Sequence, residues 1–385
     1  MARAANAVDF WRGFALITIF IDHIPGLFYA SYTLINFSIA DAADLFVFLA
    51  GWSLRLMAQG RGEPKPIGDV MLRLFGRALT IYAAQILITM LAIALLALSA
   101  IELDNALLLQ WNNADAVFND PVPTHIGLAL LTHQLGYFDI LPLYVVLMLM
   151  APFFALIDRV AKPLLLPVSF TLYLCVLAFR ITLPTWPVAG TWFFNPLAWQ
   201  FIFVLGFSLA DAQNGIGAFA RKHIKALRLI GVPIVIAGLV VARLGLWPDP
   251  TSVPSPKLFF LADKSFNTPM RVIQFLSLVA VFSAAWPYIT RAADRPLLRM
   301  PVRGLIGLLS MLGRHSLYVF CVGSLLSLSA QVVRLYYRGS LASDTLVVSV
   351  GILVMAFTAW LAEARVRGGP APSASLSPQR SSPPA

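Results

Sequence analysis

The chain has 385 residues, of which 59% are hydrophobic and only 12% are charged, and its formal net charge is +10. A water-soluble domain usually carries about 25% charged residues, so this composition excludes a soluble protein and predicts that lipid covers much of the surface. No P-loop or HExxH motif is present, which argues against ATP hydrolysis and zinc proteolysis. Both cysteines lie in apolar segments, and we expect no metal site.

The apolar segments predict an all-α polytopic membrane protein with about ten transmembrane helices, because about 20 residues cross a hydrocarbon core about 30 Å thick. Residues 1–365 are predicted to form the membrane domain, and the Pro- and Ser-rich residues 366–385 a disordered tail. The predicted spans are residues 13–32, 42–58, 75–100, 138–157, 163–182, 192–210, 227–246, 269–289, 315–335 and 344–362.

The basic residues predict the orientation of the chain. If the N- and C-termini are cytoplasmic, most of the 28 Lys and Arg residues fall on the cytoplasmic side, as the positive-inside rule requires. They concentrate in residues 55–77, 221–228 and 291–314. The positive charge therefore reflects membrane orientation, and we expect a lipid bilayer but no nucleic acid as a partner.

The first span carries the strongest candidates for chemistry, because ionisable side chains inside a bilayer are costly and often functional. Arg12 and His23 are eleven residues apart, which puts them on one face of a helix and about 16 Å apart along its axis. Asp22 is the immediate neighbour of His23 but lies about a quarter-turn away, so its position alone does not make it the partner of the imidazole. A His–Asp pair that only holds two helices together explains these residues equally well.

Two further pairs of charged residues have helical spacing. Asp41 and Asp44 share a face where the second span begins, and a structural helix cap competes there with a functional role. Arg73 and Arg77 share a face where the third span begins, within reach of one polyphosphate. Anchoring by the positive-inside rule explains each arginine taken alone.

Two later segments carry polar side chains that could bind a ligand. Arg314 immediately precedes the ninth span, where it either caps the helix or helps to hold an anion. The sixth span combines an aromatic ring with amides, a composition that suits sugar binding, although tryptophan at a membrane interface is often an anchor. These candidates are Asn195, Trp199 and Gln200.

Taken together, these segments resemble the OpgC family. Any one block of residues would be weak, but seven blocks occur in order from residue 9 to residue 320. They are DFWRG with DHIP in residues 9–25, NF in 36–37, DAADLFVFLAG in 41–51, DILPLY in 139–144, FNPLAWQ in 194–200, DK with a following Arg in 263–271, and GRHSLYVF in 313–320.

The resemblance implies a bacterial inner-membrane acyltransferase that succinylates osmoregulated periplasmic glucans. Related membrane acyltransferases use an acyl-CoA donor, here succinyl-CoA, and depend on a histidine in the first helix, a position that His23 matches. Those relatives carry an Arg-x-x-Arg pair before the third helix, whereas Arg77 is followed here by Thr80, and Arg73 lies one turn earlier. Asp44 stands where the acidic residue of the second helix is commonly Glu.

The resemblance also implies roles for the candidates. His23 would act as general base or carry the acyl group, because the pKa of imidazole lies near neutrality, and Asp22 and Asp44 would assist it. The CoA phosphates would bind Arg73, Arg77, Arg12 and Arg314, and the glucan would contact Asp41, Asn195, Trp199 and Gln200. A transporter or flippase for a glycan or organic anion is the alternative, with buried Asp and His residues as a proton relay.

Overall fold

The computed structural model describes residues 6–59 and 66–368, which are mostly helical. Two two-residue strands pair as an antiparallel hairpin, with Pro184 opposite Thr191 and Thr185 opposite Gly190. The elements are α1 Ala7–Asp22, η1 Phe28–Tyr32, η2 Leu34–Asn36, α2 Ala42–Gln59, α3 Ile67–Glu102, η3 Ala106–Asn113, α4 Asp115–Asn119, α5 Pro121–Ala129, α6 Ile140–Phe179, β1 Pro184–Thr185, β2 Gly190–Thr191, α7 Pro196–Leu209, α8 Gly215–Lys222, α9 Ile224–Leu244, η4 Lys257–Phe259, α10 Pro269–Phe282, α11 Ala285–Ala292, α12 Arg299–Arg314, α13 Ser316–Tyr337 and α14 Leu341–Gly368.

Six helical segments of the described chain are long and apolar enough to cross a membrane, which agrees with the predicted multi-pass membrane protein. The count of about ten crossings and the orientation of the termini stay predictions. Helix α14 continues to Gly368, and residues 369–385 of the predicted tail lie outside the described residues. The six segments are Ile67–Glu102, Ile140–Phe179, Ile224–Leu244, Pro269–Ala292, Ser316–Tyr337 and Leu341–Arg365.

Helices α1 and α6 differ most from the predicted spans. Helix α1 ends at Asp22, not near residue 32, because Pro25 and then Gly26, at a φ of +74°, turn the chain into short 3-10 segments. Helix α6 has 40 residues and covers the fourth and fifth predicted spans. Its backbone breaks at Ala161, where φ is −145° and ψ is 57°. Pro163, two residues later, cannot donate the helical hydrogen bond, which explains the break between two segments.

Four glycines bring helix backbones into direct contact. Helices α1 and α12 meet at Gly13 and Gly313, where a Cβ atom would lie 1.9 Å from a carbonyl oxygen of the partner helix. Helices α2 and α7 meet in the same reciprocal way at Gly51 and Gly206, with corresponding distances of 1.9 and 2.0 Å. Small residues allow such close packing in membranes, where lipid tails are as apolar as the helices. These contacts fix the positions of α1 and α2, which carry most of the candidate site.

The two ends of the bundle are named after the residues of α1 that lie nearest to them. The arginine end lies near Arg12, and the histidine end lies near His23. At the arginine end, buried Arg55 at the end of α2 donates to Asp158 of α6 and, at 2.8 Å, to Asp211 after α7. Asp211 also accepts from Lys162. These ion pairs join three helices at one end of the bundle.

Candidate active site

A cavity of about 320 Å³ lies at the arginine end, within the range of about 300–1,000 Å³ that is typical of ligand pockets. Helices α1, α2, α3, α6 and α13 form its walls. Three of the four arginines predicted to bind the donor, Arg12, Arg73 and Arg77, lie in these walls among mostly apolar side chains. The structure therefore brings together basic residues that are far apart in sequence.

The three arginines differ in what they contact. Arg12 Nη2 donates to the Leu49 carbonyl oxygen at 3.1 Å and to Ser53 Oγ at 2.6 Å, which orients its guanidinium across to α2. Arg73 and Arg77 are exposed, one turn apart on α3, and neither makes a hydrogen bond or ion pair within residues 6–59 and 66–368. Their donors are therefore available to an anion that enters the cavity.

Tyr144 supplies a polar group to the same cavity. Its side chain is only 7% exposed, and its ring packs 5.4 Å from the ring of Phe46. Its hydroxyl has no hydrogen-bond partner in the described part of the chain. A buried hydroxyl is usually hydrogen-bonded, so this one is suited to bind a ligand in the cavity. Sequence reasoning missed Tyr144 as a site residue, because a tyrosine in an apolar span is usually core.

Arg314 does not line this cavity. It ends α12, and its Nη2 donates to Glu363 Oε2 of α14 at 2.7 Å. Glu363 also accepts from Arg367 at 3.1 Å. The guanidinium of Arg314 is thus engaged in a contact between helices, and the structure does not bring it together with Arg12, Arg73 and Arg77.

His23 lies at the end of α1, on the other side of a shared aromatic wall. Its ring is 4.9 Å from the ring of Tyr137, and it lines a second cavity of about 10 Å³. Phe320 lines both this small cavity and the arginine-lined one. The Phe320 ring is 2% exposed and packs 6.2 Å from the ring of Phe46, so one buried aromatic side chain belongs to the walls of both cavities.

Asp22 contacts a residue other than His23. Thr33, in the turn between η1 and η2, donates its hydroxyl to Asp22 Oδ1. The carbonyl oxygen of His23 accepts a hydrogen bond from Gln331 Nε2 at 2.6 Å. The neighbouring carboxylate therefore fixes the loop after α1, while α13 fixes the backbone at His23.

Asp41 and Asp44 form a helix cap at the histidine end. Asp41 Oδ1 accepts from the Ala43 amide at 2.9 Å, and Asp44 Oδ2 accepts from the Asp41 amide at 2.8 Å. This reciprocal pattern satisfies amides that the first turn of α2 would leave unpaired. The structural cap that competed with a functional role is therefore present.

The same carboxylates bind two cations from the segment before and within α10. Arg271 Nη2 lies 2.6 Å from Asp44 Oδ2 and 3.3 Å from Asp41 Oδ2, and Lys264 Nζ lies 2.8 Å from Asp41 Oδ2. Arg271 also donates to the Ile39 carbonyl at 2.6 Å. The Lys264 side chain is 30% exposed, whereas Asp44 is fully buried, so Lys264 is the member that a ligand can reach.

The three polar residues of the sixth predicted span are fully buried and bonded inside the protein. Asn195 caps α7 by accepting from the Leu197 amide at 3.1 Å. Trp199 Nε1 donates to the Lys264 carbonyl oxygen at 3.0 Å, and Gln200 exchanges hydrogen bonds with Ser169. Trp199 therefore supports the backbone of Lys264, and the substrate-binding role given to these three residues stays a prediction.

Sequence reasoning gave no role to Lys264 and Arg271, although both lie in one of the blocks shared with the OpgC family. They contact Asp41 and Asp44 across more than 200 residues of chain, a pairing that spacing along one helix cannot reveal. Their charge could have marked them as candidates, because Asp263, Lys264 and Arg271 stand at the start of an apolar span, where charged side chains are often functional.

These features define an all-helical, multi-pass membrane protein with an arginine-lined cavity next to a histidine. The chain belongs to the OpgC family: residues 4–367 match the family described as OpgC protein. This confirms the resemblance found in the sequence, and it indicates a role in glucan modification. No curated protein and no solved structure matches the chain.

Proposed function

We propose that this protein transfers a succinyl or similar acyl group from cytoplasmic acyl-CoA to hydroxyl groups of osmoregulated periplasmic glucans in the bacterial inner membrane. The observation that carries the proposal is that the arginine-lined cavity and the cavity at His23 share Phe320 as a wall. A donor bound by its phosphates at the first cavity would need to carry only its acyl end past one ring to reach the histidine.

The proposal places the arginine end in the cytoplasm and the histidine end in the periplasm, with about ten crossings and both termini cytoplasmic. Two contacts support alternating directions of neighbouring helices. Helix α2 begins at the Asp41–Arg271 pair and ends at the Arg55–Asp211 pair, at opposite ends of the bundle. Helix α6, broken at Ala161, would account for two of these crossings.

The donor would bind at the arginine-lined cavity. Guanidinium groups form charge-assisted, often bidentate hydrogen bonds to phosphate oxygens, and Arg73 and Arg77 are free to do so. The apolar lining suits the pantetheine arm, and the Tyr144 hydroxyl can hydrogen-bond one of its amides. The proposal does not use Arg314, because Glu363 binds its guanidinium.

The transfer step would follow at His23. A glucan hydroxyl attacks the thioester carbonyl, and His23 takes the hydroxyl proton as the new C–O bond forms. The tetrahedral intermediate then breaks its C–S bond, and the same proton passes to the departing sulfur. The products are a glucan ester and the free thiol of CoA. Lys264, partly exposed next to Asp41, would meet the acceptor or the charge that develops on the carbonyl oxygen.

The proposal is tested by analysing periplasmic glucans from a strain that lacks this gene. The strain is complemented with wild type, with His23→Gln or with His125→Gln, whose side chain is exposed on α5 and serves as a matched control. We expect wild type and H125Q to restore anionic, succinyl-bearing glucans, while H23Q, present at an equal level in the membrane, restores almost none. A positioned base contributes about 10²- to 10⁴-fold in rate.

Two outcomes would contradict the proposal. Fully substituted glucans in the strain without the gene would exclude this substrate. Unmodified glucan or organic anion that crosses the membrane only when the gene is present would favour the transporter alternative, because transport leaves the covalent structure of its substrate unchanged.

A further inference from the structure

Helix α13 presents three polar side chains to the end of α1. Ser324, Ser327 and Gln331 follow one another at spacings of three and four, so they share a face. Ser327 Oγ donates to the Phe20 carbonyl oxygen at 3.0 Å, and Gln331 Nε2 donates to the His23 carbonyl oxygen at 2.6 Å. Two members of this face therefore hold the backbone of the turn that carries His23.

Ser324 differs from the other two members. Its side chain is only 5% exposed, yet its Oγ has no hydrogen-bond partner within the described residues. A serine inside a helix usually donates to a carbonyl of the preceding turn, as Ser327 does to Gly323 at 3.0 Å. Leaving a buried hydroxyl unpaired costs about 1–3 kcal/mol, so a partner for Ser324 is expected.

His23 presents a matching group to the same place. Its Nδ1 atom is also buried without a partner in the described part of the chain. His23, Ser324 and Ser327 all line the cavity of about 10 Å³. A cavity needs roughly 10–15 Å³ on this measure to hold a water molecule, and such a water needs two to four polar partners. Size and lining both match one bridging water.

We propose that Ser324 is a positioning residue for His23, bound to His23 Nδ1 through one water molecule in this cavity. In this bridge Nδ1–H of the neutral imidazole donates to the water, and the water donates to Ser324 Oγ. The lone pair of Nε2 is then left to accept the proton of the substrate. This inference rests on the proposed function for the role of His23 as a base. It gives the orienting task to α13, since Asp22 is bound to Thr33.

The alternative is that Ser324 only fills space between α1 and α13. A packing role predicts that Ser324→Ala is nearly neutral, because alanine keeps the Cβ atom and removes a hydroxyl that has no protein partner. A positioning role predicts a loss in turnover with little loss in stability. The two roles therefore differ in a measurable way, even before the imidazole is observed directly.

The experiment measures the tautomer of His23 by NMR in full-length protein with ¹⁵N-labelled histidine, reconstituted in nanodiscs. The chain has five histidines, and the spectrum of His23→Gln identifies the signal of His23 by its loss. The variants are Ser324→Ala, Ser324→Thr, which keeps a hydroxyl, and the matched control Ser329→Ala, which removes a hydroxyl of α13 that donates to the Leu325 carbonyl oxygen at 2.9 Å and does not line this cavity. The pH profile of kcat for glucan acylation is measured on the same samples.

We expect wild type, S324T and S329A to hold the proton on Nδ1, and S324A to show both tautomers. We expect kcat of S324A to fall about 10- to 100-fold, the range found when the hydrogen-bond partner that orients a metal-bound histidine is removed, with an unchanged KM for acyl-CoA. An unchanged tautomer in S324A, or an equal change in S329A, would overturn the proposal. If the tautomer of His23 depends on Ser324 but the wild-type protein acylates no glucan, the proposed function is wrong. The contact between Ser324 and His23 is then retained.

Discussion

Replacing Arg77 by glutamine gives the most direct test of the proposal that the donor binds in the arginine-lined cavity. The Arg77 guanidinium lines the cavity and has no hydrogen bond or ion pair within the described residues, so its removal leaves no protein carboxylate unpaired. The whole effect should therefore fall on the bound anion. A hydrogen bond to a charged group contributes about 1.5–3 kcal/mol, and each 1.4 kcal/mol is a factor of ten. We expect CoA affinity to fall about 10- to 150-fold, with an unchanged melting temperature.

The assay is isothermal titration of CoA into protein in nanodiscs, which separates binding from transfer because CoA carries no acyl group. Arg314→Gln is the matched control, since Arg314 binds Glu363 and lies outside the cavity. We expect R314Q to lower the melting temperature and to change CoA affinity less than about twofold. Raising the ionic strength should weaken CoA binding more in wild type than in R77Q. Salt screens the attraction between the Arg77 guanidinium and the CoA phosphates, and R77Q lacks that attraction.

Two results would refute this reasoning. If R77Q bound CoA as tightly as wild type, the arginine-lined cavity would not be the donor site. If R314Q weakened binding as much as R77Q while keeping its stability, the donor would lie on the Glu363 side of α12. The second result would also support the role that the resemblance gave to Arg314.

Two further changes test other parts of the structure. Tyr144→Phe removes a hydroxyl that has no hydrogen-bond partner in the described chain. We expect KM for acyl-CoA to rise about 2- to 12-fold in a steady-state assay, with no loss of thermal stability. A loss of stability with an unchanged KM would contradict this role. Burial raises the pKa of Asp211, but the Lys162 and Gln213 hydrogen bonds and the Arg55 charge lower it more, to about 2. Because this pKa is below the unfolded value of about 3.9, the carboxylate stabilises the fold fully above about pH 5 and ceases to do so as the pH falls toward 2. Asp211→Asn should therefore lower the melting temperature at pH 7, and thermal unfolding should show a smaller difference from wild type near pH 3; a difference that is independent of pH would contradict the assignment.

Much of the fold could be predicted from the sequence, because the apolar segments that span a bilayer are long and separated by turn residues. The short segment between the fourth and fifth predicted spans contains the break of α6 at Ala161, and Pro163 in the sequence indicates this break. The predicted end of the first span, at residue 32, is wrong, because α1 ends at Asp22. The residues after Pro25 are apolar, but they form 3-10 turns instead of a helix, and hydropathy alone does not distinguish these two structures.

The candidate site was predictable only where it lies on one helix or follows a simple spacing. The pair Arg73 and Arg77 was expected to face one ligand, and both residues do line one cavity. Arg314 was not separable from them in sequence, because its partner Glu363 lies 49 residues further along the chain. Ser324 carried no signal at all, since a serine in an apolar helix is common and only its unpaired state in three dimensions sets it apart.

The ring of Phe320 has an electrical consequence in the proposed function. A protein that uses reactants from both sides of a membrane risks becoming a proton leak, because a continuous line of water and polar groups conducts protons. One elementary charge that crosses a potential of 100 mV dissipates about 2.3 kcal/mol. Phe320 lines both cavities and is buried, so in the proposed function its apolar ring would interrupt a line of water between Arg12 and His23. The acyl group would then cross an insulator that ions do not cross, and the cell would keep its membrane potential while it modifies its periplasm.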